Sequence, residues 1–312
     1  MDTPFAPAYI ALWRSGELAE RVREAFRRLE ACDLCPRECG VNRRRGTKGA
    51  CRTDERAVVC SYHAHFGEEA PLVGHGGSGT IFFAWCNLAC QYCQNYEISQ
   101  YGEGRAVEPE QLAAMMLHLQ ERGCHNINLV SPSHVVAPIL AAVLIAAQAG
   151  LRLPLVYNTG GYDSVETLRL LDGVIDIYMP DMKYADAEVA RRYSGVPDYP
   201  QVNQAAVREM HRQVGDLVID EDGIARRGLL VRHLVLPEGL AGTAEVARFL
   251  AQEISVHTYI NIMDQYRPCY RANELPPLNR PITHQEFLQA VEEAKAAGLY
   301  RFDHRQPRRR FW

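Results

Sequence analysis

The 312-residue chain has no run of about 18 apolar residues, so nothing in it reads as a membrane-spanning helix. The nearest candidate, "VVAPILAAVLIAAQAG", is too short and is interrupted by proline. The opening "MDTPFAPAYI" lacks the basic-then-apolar pattern of an export signal. Together these absences predict a cytoplasmic protein with no membrane partner, in a compartment that keeps thiols reduced. There is no excess of positive charge either: 34 Lys and Arg against 38 Asp and Glu give a net charge of -4. A nucleic-acid partner is therefore not expected for the chain as a whole. The short basic runs "NRRRGTKG" and "RQPRRRFW" read as solvated surface. Missing as well are a Gly-x4-Gly-Lys-Ser/Thr phosphate loop, a Ser-His-Asp order, internal repeats and low-complexity linkers. Gly74-x-Gly76-x-x-Gly79 has dinucleotide-fingerprint spacing but precedes a strand instead of following one, so the reading fails on context.

Cysteine, by contrast, is plentiful. Ten cysteines in a reducing compartment need a use other than disulfides, and seven fall in two tight groups, which points to metal. The first is Cys32, Cys35, Cys39 and Cys51 in "CDLCPRECGVNRRRGTKGAC", a stretch with no apolar periodicity and hence no core of its own. Four ligands make a closed site for zinc or an auxiliary iron–sulfur cluster. The second is Cys86, Cys90 and Cys93, spaced Cys-x3-Cys-x2-Cys. Zinc there would recruit a fourth ligand from Cys60, His63, His65 or His75. The other reading is an iron–sulfur cubane on three thiolates, its fourth iron open to a small molecule. Cys60, Cys124 and Cys269 read as ordinary thiols, and Glu68 and Glu69 as a polar loop that could face substrate.

From residue 78 the texture alternates. Short β-branched runs at "GTIFFA", "NINLV", "LPLVYN", "VIDIYM", "LLVRHLVL" and "HTYINI" are separated by helical patterns at 109–121, 135–149, 163–171, 185–193, 200–213 and 242–254. This predicts parallel βα units. Six strands fall short of a closed eightfold barrel, so the expected fold is α/β, an open partial (βα)6 barrel. An inserted hairpin is expected at Glu221-Asp222-Gly223 and an outer C-terminal helix over 284–297 ending at Gly298. An earlier amphipathic helix takes Ser15 as its N-cap. The expected division is a helix and cysteine-rich module over 1–74, the barrel over 75–270, and a helix with basic tail over 271–312. Ligand sites of such folds lie at the carboxyl ends of the strands, which is where Cys86, "SPSH", "NTGGY", "PDMK" and "PEG" fall.

The three-cysteine spacing with Tyr92 before its last member, placed after the first barrel strand, resembles the radical S-adenosylmethionine (SAM) superfamily. More narrowly, "GSGTIFFAWCNLACQYCQN", "VYNTGGY", "DIYMPDMKY", "VRHLVLP" and "YINIMDQYRP" resemble pyruvate formate-lyase-activating-enzyme-like proteins, over about residues 30–300. The resemblance implies an iron-dependent oxidoreductase in which Cys86, Cys90 and Cys93 hold a 4Fe-4S cluster. SAM would bind the open iron and be cleaved reductively to a 5'-deoxyadenosyl radical that abstracts hydrogen. It implies SAM contacts at Asp181 and Lys183, at Asn158 and Thr159, and near Tyr92. The usual Gly-Gly-Glu after the second strand is replaced by Ser131-Pro132-Ser133-His134, so Ser131 and Ser133 are candidates by position. Asn158 stands where the activating enzymes carry an Asp that helps hold a monovalent cation, which removes a charge from such a site. Trp85 stands where Gly is common and would shade the cluster, crowd the adenine or simply pack. Implied partners are an electron donor such as flavodoxin or ferredoxin, and a glycyl radical enzyme or other protein substrate. The alternatives are radical modification of another peptide, an RNA or a small molecule, and a non-catalytic zinc or iron–sulfur protein for structure or electron transfer.

Overall fold

The computed structural model describes residues 5–303, so the tail "RQPRRRFW" lies outside the described residues. The strands are β1 (Ala57–His65), β2 (Ser78–Phe83), β3 (Arg105–Val107), β4 (Ile127–Val130), β5 (Leu155–Thr159), β6 (Ile177–Pro180), β7 (Val218–Ile219), β8 (Ala225–Leu234), β9 (Tyr259–Met263) and β10 (Arg301–Phe302). The helices are α1 (Tyr9–Ser15), α2 (Glu17–Arg28), α3 (Ala70–Val73), α4 (Tyr96–Ser99), α5 (Pro109–Glu121), α6 (Val136–Gln148), α7 (Val165–Leu170), α8 (Ala187–Ser194), α9 (Tyr199–Val214), α10 (Thr243–Phe249) and α11 (His284–Ala296).

The strands form one sheet ordered β10-β9-β8-β6-β5-β4-β2-β1-β3, with β7 added beside β8. Six of them, β2, β4, β5, β6, β8 and β9, run parallel, and these are the six that the apolar runs predict. The fold is α/β with a mostly parallel sheet that does not close. Side chains alternate across it. Leu155 and Tyr178 belong to the layer under the helices, whereas Val156, Ile177, Met179, Leu230 and Tyr259 form a separate inner cluster plugged by Leu72. The apolar α6 is buried on nearly every face, against the sheet and beside α2 and α5. Capping boxes start α5 at Glu108 and α11 at Thr283.

Three expectations change, and one is refined. The helix expected to start at Ser15 is preceded by α1, which Ser15 ends. Gly16, in the left-handed region at φ 83°, turns the chain into α2, and the Glu17 N–H still reaches the Ser15 hydroxyl. Strands β1 and β3 went unread because "AVVCSYHAH" is polar toward its end, as suits a strand whose outer half is exposed; it pairs antiparallel to β2. β10 is too short to show periodicity, yet pairs parallel with β9. The stretch 242–254 is helical as expected, but its winding changes from α over Thr243–Phe249 to π over Leu250–Ile254. The hairpin at Glu221-Asp222-Gly223 stands, with the Asp220 carboxylate accepting from the N–H groups of Asp222 and Ile224.

Two buried titratable groups tie the ends of the strands. Asp176, just before β6, accepts from the N–H of Ala8 at 2.8 Å and of Leu155 at 3.0 Å. Burial pushes its carboxyl up to about 7. His134 donates from Nε2 to the carbonyl of Ala84 at 3.0 Å, joining the β4–α6 loop to the end of β2. Burial, and then the Arg43 charge, push its imidazole down to about 3. The unfolded chain takes up the histidine proton near 6.5 and the folded chain does not. The His134 contribution is therefore complete above that pH and is lost as pH falls toward about 3, by at most about 1.4 kcal/mol per pH unit. Asp176 acts oppositely, since its folded form holds a proton between its ordinary 3.8 and about 7, so stability falls as pH rises through that window. His134→Gln, which can keep the bond to Ala84, isolates the first slope. The unfolding free energy of the wild type minus that of the variant, from urea titrations, should rise between about pH 4.5 and 6.5 and level off above. A difference that does not vary with pH would show that His134 is not held neutral.

Candidate active site

Beyond Phe83 the chain leaves the sheet through Ala84 and Trp85, and Trp85 takes the left-handed conformation, φ 67°. That is the physical reason a glycine suits this position. The indole turns away from the candidate cluster loop's own cavity: it covers Gly102, where an added Cβ would lie 2.1 Å from the ring, and the Arg52 guanidinium sits 5.2 Å from its centroid. Of the three roles considered for Trp85, packing is the one its surroundings favour.

The loop that follows is pinned on several sides. Gln91 N–H donates to Tyr193 O at 2.8 Å, Arg271 N–H to Gln91 O at 3.0 Å, Asn87 Nδ2 to Tyr162 O at 2.6 Å, and Arg37 Nε to Asn87 O at 2.8 Å. Each sulfur meets a polar hydrogen-bonding group. Leu88 N–H points at Cys86 Sγ at 3.4 Å, Ser194 Oγ lies 3.0 Å from Cys90 Sγ, and Ser99 Oγ lies 3.0 Å from Cys93 Sγ. Burial pushes the Cys86 thiol up to about 12 and raises Cys90 too. Loading a metal onto them thus displaces protons.

Cys86, Cys90 and Cys93 line one cavity of about 230 Å³ at the carboxyl ends of the parallel strands, together with Tyr92, Ser131, Asn158, Thr159, Asp181 and Lys183. Arg232, Leu234, Met263 and Gln265 complete the far wall. Asp181 is the only carboxylate among the described lining residues. It is fully engaged, 2.6 Å from Lys183 Nζ and 2.9 Å from Arg232. Burial works against its charge, and the Arg232 and Lys183 charges prevail, holding its carboxyl below the usual range. Among the described lining residues the two cations thus face one carboxylate. Gly161, at φ 76°, lets the "NTGGY" turn lie against the end of β6; a Cβ there would stand 2.1 Å from Asp181 O.

The other positions divide. Tyr92 is buried between Tyr184 and Tyr266 and backs the loop. Ser131, at φ 60°, turns at the mouth. Ser133 is buried and its hydroxyl lies 3.0 Å from that of Thr159, which donates at 2.6 Å to the buried Asp163; Ser133 is not among the residues lining the cavity. His134 is neither exposed nor in the cavity. Cys60, His63, His65 and His75 do not line it either, so none of the four residues considered as a fourth zinc ligand lies there. Among the described residues no three Cys, His, Asp or Glu side chains are drawn together as a clasp for a single metal ion. Sequence reasoning missed Arg232. Its signal was the alternation in "LLVRHLVL", which puts Leu230, Arg232 and Leu234 on one face. Glu69 is buried below, accepting from Asn261 Nδ2 at 2.8 Å, and Arg232 feels the charges of Glu69 and Glu68.

The donor set fits a cluster with an open iron: three soft sulfurs, each beside a hydrogen-bonding group, and an adjoining polar wall whose one carboxylate, Asp181, is engaged by two cations. An α/β partial barrel with this loop at its carboxyl end defines a class of cluster-dependent enzymes. The chain belongs to the radical SAM superfamily, whose description residues 80–250 match and whose members use a 4Fe-4S cluster and SAM. It is 32% identical over 277 residues to the uncharacterized protein MJ0674 of Methanocaldococcus jannaschii, covering 86% of this chain and 75% of that one. A radical SAM methyltransferase from Sphaerobacter thermophilus is similar at 15% identity and a TM-score of 0.48 over 70% of this chain; the chain spans 64% of that protein's length. A structure of TYW1 with a lysine-pyruvate adduct bound is similar at 12% identity and a TM-score of 0.43, covering 70% of this chain and 73% of that one. Both likenesses are too remote to speak to a substrate. Among the described residues no helix is long and apolar enough to cross a membrane.

Removing the shared carboxylate should be costly. Asp181→Ala takes from Lys183 and Arg232, both largely buried, the carboxylate they share and should lower stability by about 3–5 kcal/mol in urea titrations. Adding Arg232→Met to that variant should restore most of the loss. A single variant as stable as wild type would mean that the three groups are not coupled.

Proposed function

We propose that this radical SAM enzyme holds its cluster on Cys86, Cys90 and Cys93 and works on a macromolecular substrate, as pyruvate formate-lyase-activating-enzyme-like proteins do. The observation that carries the reading is the single cavity shared by the three thiols, the Asp181–Lys183–Arg232 group and Asn158. Bound there, cluster and SAM would supply one-electron cleavage of the sulfonium and with it a 5'-deoxyadenosyl radical for hydrogen abstraction.

The chain's own residues bind and orient. Lys183 and Arg232, one charge neutralised by Asp181, suit the carboxylate of the methionine half. The Asn158 amide and the hydroxyls of Ser131 and Thr159 offer hydrogen bonds to the remainder. Leu88, Leu234 and Met263 make the cavity partly apolar and help exclude water. Electrons enter from an external donor of the flavodoxin or ferredoxin kind. For a macromolecular substrate the support is on the rim. Tyr96, immediately after the cysteine loop, stacks on Tyr270 at 5.4 Å, and Tyr101, 60% exposed, meets both edge-on. A peptide loop of a glycyl radical enzyme is the substrate that the quoted motifs favour.

Anaerobically reconstituted wild type given SAM and dithionite should yield 5'-deoxyadenosine, and the Cys86→Ala/Cys90→Ala/Cys93→Ala variant or Cys90→Ala alone should yield none. Retained cleavage in the variants would sink the cluster assignment. For the substrate, extract from cells grown on deuterated carbon sources is separated into dialysable, RNase-sensitive and protease-sensitive fractions. Deuterium should reach 5'-deoxyadenosine from the protease-sensitive fraction, and Tyr101→Ala should lower that transfer without changing cleavage of SAM alone. Label from the dialysable fraction only would overturn the macromolecular reading.

A further inference from the structure

Arg43 is wholly shut off from solvent, the only charged side chain of the cysteine-rich segment to be so, and it makes no ion pair among the described residues. Its guanidinium donates to Asp54 O at 2.7 and 3.0 Å, to Thr53 Oγ1 at 2.8 Å and to His134 O at 2.8 Å, all uncharged acceptors. The Asp54 carboxylate is taken by Arg56. A buried guanidinium answered only by neutral groups is strongly disfavoured, so its compensating charge should be close by. Two sulfurs are. Nη1 lies 3.7 Å from Cys32 Sγ. Thr53, accepting from Arg43, has its own hydroxyl proton left for Cys51 Sγ, 3.2 Å away.

The other two cysteines belong to the same knot. Cys35 lies within electrostatic reach of Cys32, Cys39 and Cys51. The chain at Gly49 passes so close to Cys39 that an added Cβ would sit 2.3 Å from its sulfur. Cys32 and Cys35 each accept a backbone N–H from two residues on, Leu34 and Arg37, the same arrangement that Leu88 makes with Cys86. Such N–H···S bonds favour the thiolate form that a metal binds. The thiols are grouped without being clasped, as suits a segment whose folding is completed by its ligand.

We propose that Cys32, Cys35, Cys39 and Cys51 hold a tetrathiolate metal centre, zinc or an iron–sulfur cluster, whose negative charge is the counter-ion of Arg43. Four thiolates on a centre of charge +2 leave a net charge of about -2, enough to balance the guanidinium. The link runs further: Arg43 to His134 O, then His134 Nε2–H to Ala84 O, two residues before Cys86. Arg37 also reaches Asn87 O, and Arg52 covers Trp85. Filling the outer site thus fixes the backbone from which the inner cysteine loop departs.

The test uses the full chain carrying Cys86→Ala/Cys90→Ala/Cys93→Ala, which leaves only the outer site, reconstituted anaerobically either with zinc alone or with iron and sulfide. The expected result is one centre per chain, about one zinc or about four iron and four sulfide, with the two arms telling the sources apart. Cobalt(II) in place of zinc should give thiolate-to-cobalt charge-transfer absorption. Adding Cys35→Ser and Cys51→Ser should abolish both signals. Arg43→Met should weaken zinc binding about 10–100-fold in competition with a chelator. It should also raise the thermal midpoint of the metal-free chain while lowering that of the loaded one, whereas an arginine with a packing role alone would lower both. No centre in either arm, metal unchanged after Cys35→Ser/Cys51→Ser, or unchanged affinity in Arg43→Met would each overturn the proposal. Should the serine variant not fold, the paired Arg43→Met measurements decide.

Discussion

Asp181 answers two cations at once, and the geometry of the mouth follows from that. Its carboxylate stands at the end of β6, Lys183 two residues on, and Arg232 on the neighbouring β8. Opposite charges this close, and this little exposed, hold three side chains in one arrangement that surface pairs would not hold. The backbone there is held as firmly: Tyr199 and Asn203 of α9 donate to Asp181 O, and Asp181 N–H donates to Thr159 O across to β5. Strands β5, β6 and β8 are thereby locked where their polar ends converge. On the proposed reading this cavity takes a zwitterionic, sulfonium-bearing cofactor, for which charge of both signs in fixed positions is apt, and the group carries both before anything binds.

The sulfur side of the mouth is fixed differently, by backbone bonds more than by charge. The loop from Cys86 to Cys93 has no regular structure to hold it. Its amides and side chains instead reach the end of α8, the turn at Tyr162, the segment at Arg271 and the N-terminal Arg37. Four separate stretches of sequence therefore converge on eight residues.

What could be read from sequence follows the physics of periodicity. Parallel strands buried on both faces read as apolar runs, so the six of the barrel and their order were legible, as was the helix over Pro109–Glu121, bounded by its capping box. β1 was not, because half of it faces solvent and its later residues are polar. The cysteine loop was legible because its spacing sets Cys86, Cys90 and Cys93 on one short stretch after β2, and all three line one cavity. Ser133 was placed by position in a motif, and position does not say which way a side chain turns; its hydroxyl went to Thr159 and the buried Asp163 network. Arg232 was written in the alternation of β8 but carries no motif. Arg43 was harder still. In "NRRRG" it is one basic residue among three, and only the fold distinguishes the one that is buried from the two that are not.

That last contrast bears on how the two cysteine groups differ. The inner group lies in a cavity that Lys183 and Arg232 also line, and the outer group lies beside a buried cation, Arg43, 3.7 Å from Cys32 Sγ and linked to Cys51 through Thr53. Anionic thiolate centres at both places would be neutralised by opposite means: the inner by groups that also face an incoming ligand, the outer by a guanidinium that nothing from solvent can reach. A charge arrangement open to solvent suits exchange of ligand, and one sealed from it suits permanence. On the proposed reading, the burial of Arg43 argues for an outer centre that stays in place while ligand exchanges at the inner cavity.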